Sequence, residues 1–272
     1  MKSTIKMSVK LASVALAAAL AACGGGGGSG PTAVLAPGIW NKTDNATSTT
    51  KFIGVVTSSA NGGDVWGVTS TYANVADAMP QSMKVFTGPV TASGENFATT
   101  QGTVLSFVSG FANPLTGQSL SLPKSASAST QQFDFGGGAS YGTTKDSLWS
   151  TAATIDSTDW TGNWTRTETD PTYGTVLHTL TVGVGGSIVG TKKSGDTTLC
   201  DITGNVTQLE KAVVNVSIQR VCVDGTTTNY SGISFPEQVN AQNKVTARAI
   251  WLKGTGSIAK QFEIKPYYRT LP

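Results

Sequence analysis

The sequence predicts an all-β protein in which two small antiparallel β-barrel or sandwich modules follow one another after an N-terminal leader and a flexible tether. Charged residues make up only 13% of the 272 residues, about half the share in an average soluble domain. Thr, Ser, Gly and Val are frequent throughout, and this composition suits strands better than helices. The second half also alternates apolar and polar residues in short runs, and it repeats motifs of the first half.

The leader, residues 1–22, has the pattern of a secretory signal peptide. Three lysines lie among its first ten residues, and the apolar run "LASVALAAALAA" that follows is 12 residues long. A bilayer-spanning helix needs roughly 20 apolar residues. A charged start, a short apolar run and small residues before the cleavage point together predict export.

Leu20, Ala21, Ala22 and Cys23 resemble the lipobox of bacterial lipoproteins. The resemblance implies cleavage before Cys23, diacylation of its thiol and acylation of the new amino terminus. Gly24 follows the cysteine, which in such lipoproteins implies the outer membrane, on its periplasmic face or at the cell surface. An ordinary signal peptide with a chance cysteine is the alternative.

The tether comprises residues 23–37, "CGGGGGSGPTAVLAP". A Gly-rich coil of this length has a root-mean-square reach of about 20 Å, so it separates a folded body from a lipid anchor. Once the leader is removed with its three lysines, 16 basic residues face 16 acidic ones. A formally neutral chain lacks the basic footprint of a nucleic-acid binder.

A repeat divides the body into a first β-module at 38–150 and a second at 155–272, with a junction in 147–159. Three motif pairs recur in one order, at offsets that fall slowly along the chain, which favours duplication. The pairs are Gly38-Ile39-Trp40 with Gly162-Asn163-Trp164, "GDVWG" (63–67) with "GSIVG" (186–190), and "FTGPVT" (86–91) with "ITGNVT" (202–207).

Eight short strands are predicted in the second module, which suggests an up-and-down barrel or a sandwich. Most are rich in Val, Ile, Thr and Tyr and end at Gly, Asn or Asp. The first module is less regular, and residues 110–146 are expected to include long loops. The predicted strands are 163–168, 174–184, 187–193, 198–206, 212–222, 227–234, 244–252 and 257–265.

Cys200 and Cys222 are predicted to form a disulfide, because an exported chain meets an oxidising compartment. A turn centred near Lys211 would place the two cysteines opposite each other in an antiparallel hairpin. The face they share is mostly apolar and is expected to point inward; it carries Ile202, Val206, Val214, Val216 and Ile218. A redox-active pair is the alternative, but the C-x-x-C spacing is absent.

The catalytic signals in the sequence are weak, and we expect no enzyme. "GASYG" (138–142) matches G-x-S-x-G around Ser140, but a nucleophile elbow needs a following helix and a histidine base. The single histidine, His178, lies on the apolar face of a predicted strand and is expected to be a core or rim residue. One histidine and two bonded cysteines cannot form the usual zinc site, so no metal or cofactor is predicted.

Two aromatic groups have alternative interpretations. Trp160 and Trp164 are four residues apart and are interpreted as core residues at the start of a module, or else as a sugar- or lipid-stacking platform. The C-terminal "KPYYRTLP" clusters Lys265, Tyr267, Tyr268 and Arg269. It is interpreted as a solvated tail, or else as a docking segment for a partner or the envelope surface.

Gly-x-Trp at the start of a run of antiparallel strands is similar to the first strand of lipocalins, which implies a barrel with a cavity for a small apolar ligand. The whole body resembles a group of uncharacterised proteobacterial lipoproteins with a lipobox, a Gly-rich tether and a G-x-W start to each half. The prediction is a non-enzymatic, lipid-anchored outer-membrane protein that binds an envelope component, a partner protein or a small ligand. A structural or assembly subunit of an envelope machine is the second hypothesis, and a serine hydrolase using Ser140 is the third.

Overall fold

The structure is a computed structural model that describes residues 35–59, 62–77, 80–108, 115–123, 129–151, 160–210, 213–255 and 262–269. The predicted leader, the lipobox, Cys23 and residues 24–34 of the tether lie outside the described residues. Almost all of the described chain is strand, arranged as two antiparallel barrels in tandem. The predicted all-β class with two modules is therefore confirmed.

Barrel 1 is a closed barrel of eight antiparallel strands in chain order. Closure comes from pairing of the last strand with the first, where Lys145 lies opposite Trp40. A short helix, α1 (Ser147–Thr151), follows within the predicted junction. The strands are β1 Gly38–Lys42, β2 Thr50–Ser59, β3 Gly62–Thr71, β4 Ser82–Ser93, β5 Asn96–Val108, β6 Leu115–Pro123, β7 Thr130–Phe135 and β8 Ser140–Lys145.

Barrel 2 is also a closed, eight-stranded antiparallel barrel, and each predicted strand of the second module has a counterpart. Its last strand pairs with its first, with Tyr268 opposite Thr165. The strands are β9 Gly162–Asp170, β10 Gly174–Val182, β11 Ser187–Ser194, β12 Thr197–Glu210, β13 Val213–Cys222, β14 Thr227–Val239, β15 Val245–Gly254 and β16 Phe262–Arg269.

The interpretation of the C-terminal segment as a solvated tail is wrong. Residues Lys265 to Arg269 belong to β16, the strand that closes barrel 2. Tyr267 is 4% exposed and points into the barrel. Without this strand the sheet would be open, and the backbone N–H and C=O groups along the edges of β15 and β9 would be unpaired. The segment "EIKPYYR" forms hydrogen bonds with both edges.

The interior of barrel 1 is packed with aromatic rings that lie against glycines. A Cβ atom at Gly54 would be 2.8 Å from Cζ of Phe133, and one at Gly102 would be 2.2 Å from Cε2 of Phe86. Both distances are below van der Waals contact, so a side chain at either position would displace a ring. This accounts for glycines inside strands, where they otherwise weaken a sheet. The buried interior residues are Leu35, Trp40, Phe52, Val56, Val65, Phe86, Val90, Phe97, Leu120, Leu122 and Phe133.

The two barrels pack against each other through their outer walls, and residues 33–272 form one compact unit. The contact is apolar, and within it the rings of Phe235 and Trp251 meet edge to face with centroids 4.7 Å apart. Barrel 1 and α1 contribute Ile39, Val55, Trp66, Val68, Val85, Leu105 and Trp149, and barrel 2 contributes Val213, Ile233, Phe235, Ala249 and Trp251.

The three motif pairs fall on the first, third and fourth strands of each barrel. Strand pairing agrees with this correspondence, as expected of a duplicated module. The outward row in barrel 1 runs Ile39, Val55, Trp66, and the matching row in barrel 2 runs Asn163, Thr181, Val189.

The outward face of the first five strands differs in polarity between the two barrels. This difference explains why that face is buried by the neighbouring barrel in barrel 1 but faces solvent in barrel 2. In barrel 1 these positions are apolar and lie under barrel 2. In barrel 2 the equivalent positions are mainly polar and face solvent, since covering them would bury hydroxyls and a carboxylate. The equivalent pairs are Ile39 and Asn163, Ile53 and Thr179, Val55 and Thr181, Trp66 and Val189, Val68 and Thr191, Val85 and Asp201, and Leu105 and Val221.

The predicted disulfide is confirmed. Cys200 and Cys222 are direct partners in the β12–β13 ladder and are joined by a disulfide, with Cα atoms 3.9 Å apart. The register shifts only near Gln208, at the other end of the hairpin, so the pairing at the cysteines is unaffected. The predicted turn at Lys211 lies outside the described residues. As predicted, the apolar residues that share the cysteine face are buried: Ile202, Val206, Val214, Val216 and Ile218.

Candidate functional site

One end of the barrel 1 interior is an open pocket of about 180 Å³. The strands that form it are the middle and last strands of the barrel. On β3, β4 and β5 the inward residues alternate with outward residues that contact barrel 2. Its lining is aromatic and aliphatic toward the interior and polar toward solvent. The lining residues are Gly67, Thr69, Lys84, Phe86, Val104, Ser106, Leu115, Gln118, Phe135, Gly136, Ala139 and Tyr141.

The apolar wall of this pocket is a set of interlocking rings. Phe135 meets Phe86 edge to face at 5.2 Å between centroids, and it meets Tyr141 in the same way at 5.9 Å. Behind them, Phe52 stacks on Tyr141 at 4.7 Å. These contacts fix the ring positions, so the pocket is preformed rather than dependent on a rearrangement.

The rim of the pocket carries a positive charge and an exposed apolar side chain. Lys84 is exposed on β4 and lines the pocket, and Leu115 on β6 is 57% exposed. An apolar body with one positive group at its mouth matches a small apolar molecule that ends in an anionic group. A cavity of about 150 Å³ holds benzene, so this pocket accepts a single ring or a short acyl chain.

Two larger depressions have a different chemistry. One of about 320 Å³ lies between the barrels, and one of about 370 Å³ lies beside β7. Their linings are chiefly neutral polar side chains, including Thr207 and Asn215 in the first and Gln131 and Gln132 in the second. Pockets that bind small molecules are mostly apolar with few polar groups, which favours the barrel 1 pocket.

The interior of barrel 2 is nearly filled at its apolar end. The cavity there, beneath Trp160 and Trp164, measures about 30 Å³, the volume of one water molecule. A lipocalin-like cavity in the second half, which the G-x-W resemblance implied, is therefore not present among the described residues. The interior of an eight-stranded barrel is narrow enough either to be filled by side chains or to hold one small ligand, and this end of barrel 2 is filled by side chains.

Both tryptophans of the G-x-W motifs are core residues. Trp40 is fully buried in barrel 1, and Trp164 is 3% exposed in barrel 2. Trp160 is half-buried, packs against the same core, and accepts a hydrogen bond through its carbonyl from Nε1 of Trp164 at 2.8 Å. The core interpretation of these residues is confirmed over that of a stacking platform.

The other half of the barrel 2 interior holds a charged interior cluster. Its charged members are Arg166, Glu168, Asp170, Lys192, Arg220, Glu263 and Lys265. They face inward because they alternate with outward residues on their strands, as in "TRTETD" of β9. Two ion-pair groups result, one around Glu168 and one around Glu263.

Glu168 is the centre of the first group. It pairs with Arg166, with Lys265 at 3.2 Å and with Lys192 at 3.9 Å, and Lys192 also pairs with Asp170 at 3.0 Å. Three strands, β9, β11 and β16, bring these charges together. Burial, and next the charge of Arg166, hold the pKa of Lys265 below its usual value.

His178 belongs to the same group and is a buried core residue, as the sequence predicted. It is 2% exposed, and its Nε2–H donates to Oε1 of Glu168 at 2.8 Å. Burial, and next the positive charge of Arg166, lower the pKa of His178 to about 3. The ring is therefore neutral near pH 7, which fits its role as a donor to Glu168.

The second group joins Arg220, Glu263 and Tyr230. Arg220 donates to Glu263 at 2.6 Å and to the hydroxyl of Tyr230. Burial alone would lower the pKa of Arg220, but the neighbouring Glu263 carboxylate raises it. Burial also raises the pKa of Tyr267, beside the same group, to about 12.

The structure does not bring together the residues of a serine hydrolase. Ser140 lies on barrel 1, where its hydroxyl donates to Asp134 at 2.6 Å, whereas His178 is enclosed in barrel 2. "GASYG" is the turn that leads into β8, so a strand follows Ser140 where a nucleophile elbow requires a helix.

Sequence reasoning did not identify the pocket residues or the charged interior cluster. The alternation of side chains along a strand was the available signal for the cluster. If Trp164 is buried, Arg166 and Glu168 lie on the same, inward face of the strand. This alternation does not show which distant strands face each other across a barrel. Glu168 and Lys265, for example, are 97 residues apart.

Within the described part of the chain, no group of three or more His, Cys, Asp and Glu side chains has the arrangement of a metal site. None of the described helices has the length and apolar character needed to cross a bilayer. No protein-family model matches the chain, and neither does any curated protein or solved structure.

Proposed function

We propose that this protein is a non-enzymatic, lipid-anchored protein of the outer membrane that binds a small apolar ligand with an anionic end in the open pocket of barrel 1. The preformed aromatic pocket is the observation that carries the proposal. Its volume of about 180 Å³ selects single-ring molecules and short acyl chains.

The pocket favours binding for three physical reasons. Phe86, Phe135 and Tyr141 remove apolar ligand surface from water, which contributes roughly 25 cal/mol per Å². Their rings are already held by one another, so little side-chain freedom is lost on binding. Lys84 at the rim attracts the anionic end, and an exposed ion pair of this kind adds about 0.2–1 kcal/mol.

The anchor in this proposal rests on the sequence around Cys23 and on the glycines that follow it. A lipidated residue stays at the membrane surface, and a Gly-rich tether lets the barrels stand away from that surface. A tethered binding protein therefore meets a dissolved or membrane-derived ligand without inserting its barrels. The lipobox and Gly24 are what favour the outer membrane.

Calorimetric titration of the purified protein with octanoate, benzoate and neutral octanol tests the site. Octanoate is expected to bind, and Ser106→Phe, which fills the pocket with a ring, is expected to abolish its binding. Lys84→Met should weaken octanoate about two- to fivefold and leave octanol unchanged, because only the anion loses a partner.

The matched control is Lys51→Met. Lys51 lies on β2 with its ammonium 4.5 Å from the centre of the Tyr72 ring, away from the pocket lining. Its replacement should leave both affinities unchanged. Octanoate binding that survives Ser106→Phe in a folded variant, or no binding of any of the three probes to the wild type, would overturn the proposal.

A further inference from the structure

The charged interior cluster of barrel 2 contains a buried cationic group with an unused hydrogen-bond donor. Arg166 is 6% exposed, and its Nη1 lies buried without a hydrogen-bond partner. Its other terminal nitrogen, Nη2, pairs with Glu168. A buried, charged donor left unsatisfied costs several times more than an ordinary hydrogen bond contributes, so such groups point to a missing partner.

Tyr267 holds the guanidinium of Arg166 in place without satisfying that donor. The central carbon of Arg166 lies 5.6 Å from the centre of the Tyr267 ring. Contact with the face of a ring stabilises the cation, but the N–H groups lie in the guanidinium plane and remain directed elsewhere. The free donor is therefore preorganised to meet an acceptor.

The charges of the cluster do not balance. Within the cluster, four cations, Arg166, Lys192, Arg220 and Lys265, face three carboxylates, Glu168, Asp170 and Glu263. The buried Arg248 lies inside the same barrel but lines its apolar end. His178 adds no charge because it is neutral. The described members of the cluster therefore carry one more positive than negative charge, and a buried excess charge is costly unless an ion of opposite sign joins it.

We propose that the charged interior cluster of barrel 2 is a binding site for a small oxyanion, held by Arg166, Lys192 and Lys265. These three cations already converge within ion-pair distance of one carboxylate, Glu168. A phosphate, sulfate or carboxylate group that reaches the same space accepts from Nη1 of Arg166 and neutralises the excess charge.

The site is open to solvent on the side of Lys265. The side chain of Lys265 is 40% exposed and that of Glu168 is 23% exposed, whereas Arg166 lies deeper. We therefore expect a small anion to approach from the side of Lys265 and to reach Arg166 last. This site is separate from the barrel 1 pocket and does not depend on the function proposed for that pocket.

Three substitutions test the site: one should weaken phosphate binding, one should strengthen it, and one is a control. Lys192→Met removes an inward cation and should weaken phosphate binding about tenfold or more, as expected for a hydrogen bond to a charged group. Glu168→Gln removes the competing carboxylate and should strengthen binding about tenfold. Lys193→Met is the matched control, because Lys193 is the next residue on β11 and lies opposite Leu177 on the outward face.

The measurement is the dissociation constant of inorganic phosphate by calorimetry, together with the melting temperature in phosphate, sulfate, acetate and chloride at equal ionic strength. The wild type should be stabilised by an oxyanion beyond the effect of chloride. The melting curves also show whether each variant is folded, so a loss of binding is not confused with a loss of structure.

Equal melting temperatures in all four salts, with no calorimetric binding, would overturn the proposal. So would weaker phosphate binding by a folded Glu168→Gln variant, or an equal effect of Lys192→Met and Lys193→Met. Stabilisation by acetate alone would support a carboxylate ligand, and stabilisation by phosphate and sulfate a tetrahedral one.

Discussion

Exchanging residues between equivalent positions of the two barrels tests the contact between them. Val85 of barrel 1 is fully buried in that contact, and the equivalent residue of barrel 2, Asp201, is exposed. We expect Val85→Asp to be strongly destabilising and Asp201→Val to be nearly neutral. The two substitutions involve the same pair of residues, so only the environment differs.

The expected magnitudes follow from burial. Loss of a fully buried valine side chain removes about 1.5–3 kcal/mol of hydrophobic stabilisation. An unpaired carboxylate in the same apolar contact adds several kcal/mol, or else forces the barrels apart. Val85→Asp should therefore lower the free energy of unfolding by at least about 3 kcal/mol. Val85→Thr, which buries a hydroxyl instead, should cost about 1–3 kcal/mol, and Asp201→Val should stay within about 0.5 kcal/mol of the wild type.

Urea unfolding followed by tryptophan fluorescence measures these values. Trp66, Trp149 and Trp251 lie in the contact and report its opening, whereas Trp40, Trp160 and Trp164 report unfolding of the barrel interiors. If the barrels separate before they unfold, the Val85→Asp curve should show two transitions in place of one. A Val85→Asp protein within 0.5 kcal/mol of the wild type would refute the packing of barrel 2 on the outer face of β4.

Three further predictions follow from the barrel 2 interior and the leader. Reduction of the Cys200–Cys222 disulfide, which closes a separation of 22 residues, should destabilise barrel 2 by about 3 kcal/mol; free thiols at both positions in mass mapping of the purified protein would contradict the pairing. Because the pKa of His178 is about 3 when folded and about 6.5 when unfolded, the unfolded state binds the extra proton, and stability should fall as pH drops from 6.5 toward 3, by up to about 1.4 kcal/mol per pH unit. His178→Gln should flatten that slope in urea unfolding between pH 6.5 and 5, and equal slopes would argue against a neutral histidine. Cys23→Ser should give an uncleaved or mislocalised precursor that takes up no labelled palmitate, whereas undiminished labelling would rule out the lipid anchor.

The strands of barrel 2 were predictable because a barrel wall with one face inside and one outside imposes a period of two residues. In β10 and β13 most inward residues are apolar, with His178 and Arg220 as exceptions, so the alternation can be recognised in the sequence. The cysteine pairing was predictable for a related reason, since partners in an antiparallel hairpin have residue numbers with a constant sum. The last strand was predicted at 257–265 but runs over Phe262–Arg269; its end was misread as a tail because its inward residues include Glu263 and Lys265, which look like surface residues.

The candidate sites were less predictable, since each combines residues from distant strands. Lys84, Leu115 and Tyr141 of the barrel 1 pocket lie on three different strands. Nothing local in the chain distinguishes them from other residues of the same type. Their proximity depends on closure of the barrel and on the glycines that let the rings interlock.

The sequence by itself determined the all-β class, the division into two modules, the strands of the second module and the disulfide. Each of these depends on local alternation, on a repeated motif or on register within one hairpin, which are properties of neighbouring residues. Only the tertiary structure decided that the modules are closed barrels, that barrel 1 has an open pocket, and that charges fill half of barrel 2. Those features arise where strands far apart in the chain face each other across a barrel. The free energy of a buried charge or an aromatic contact depends on that opposite wall, which no local pattern records.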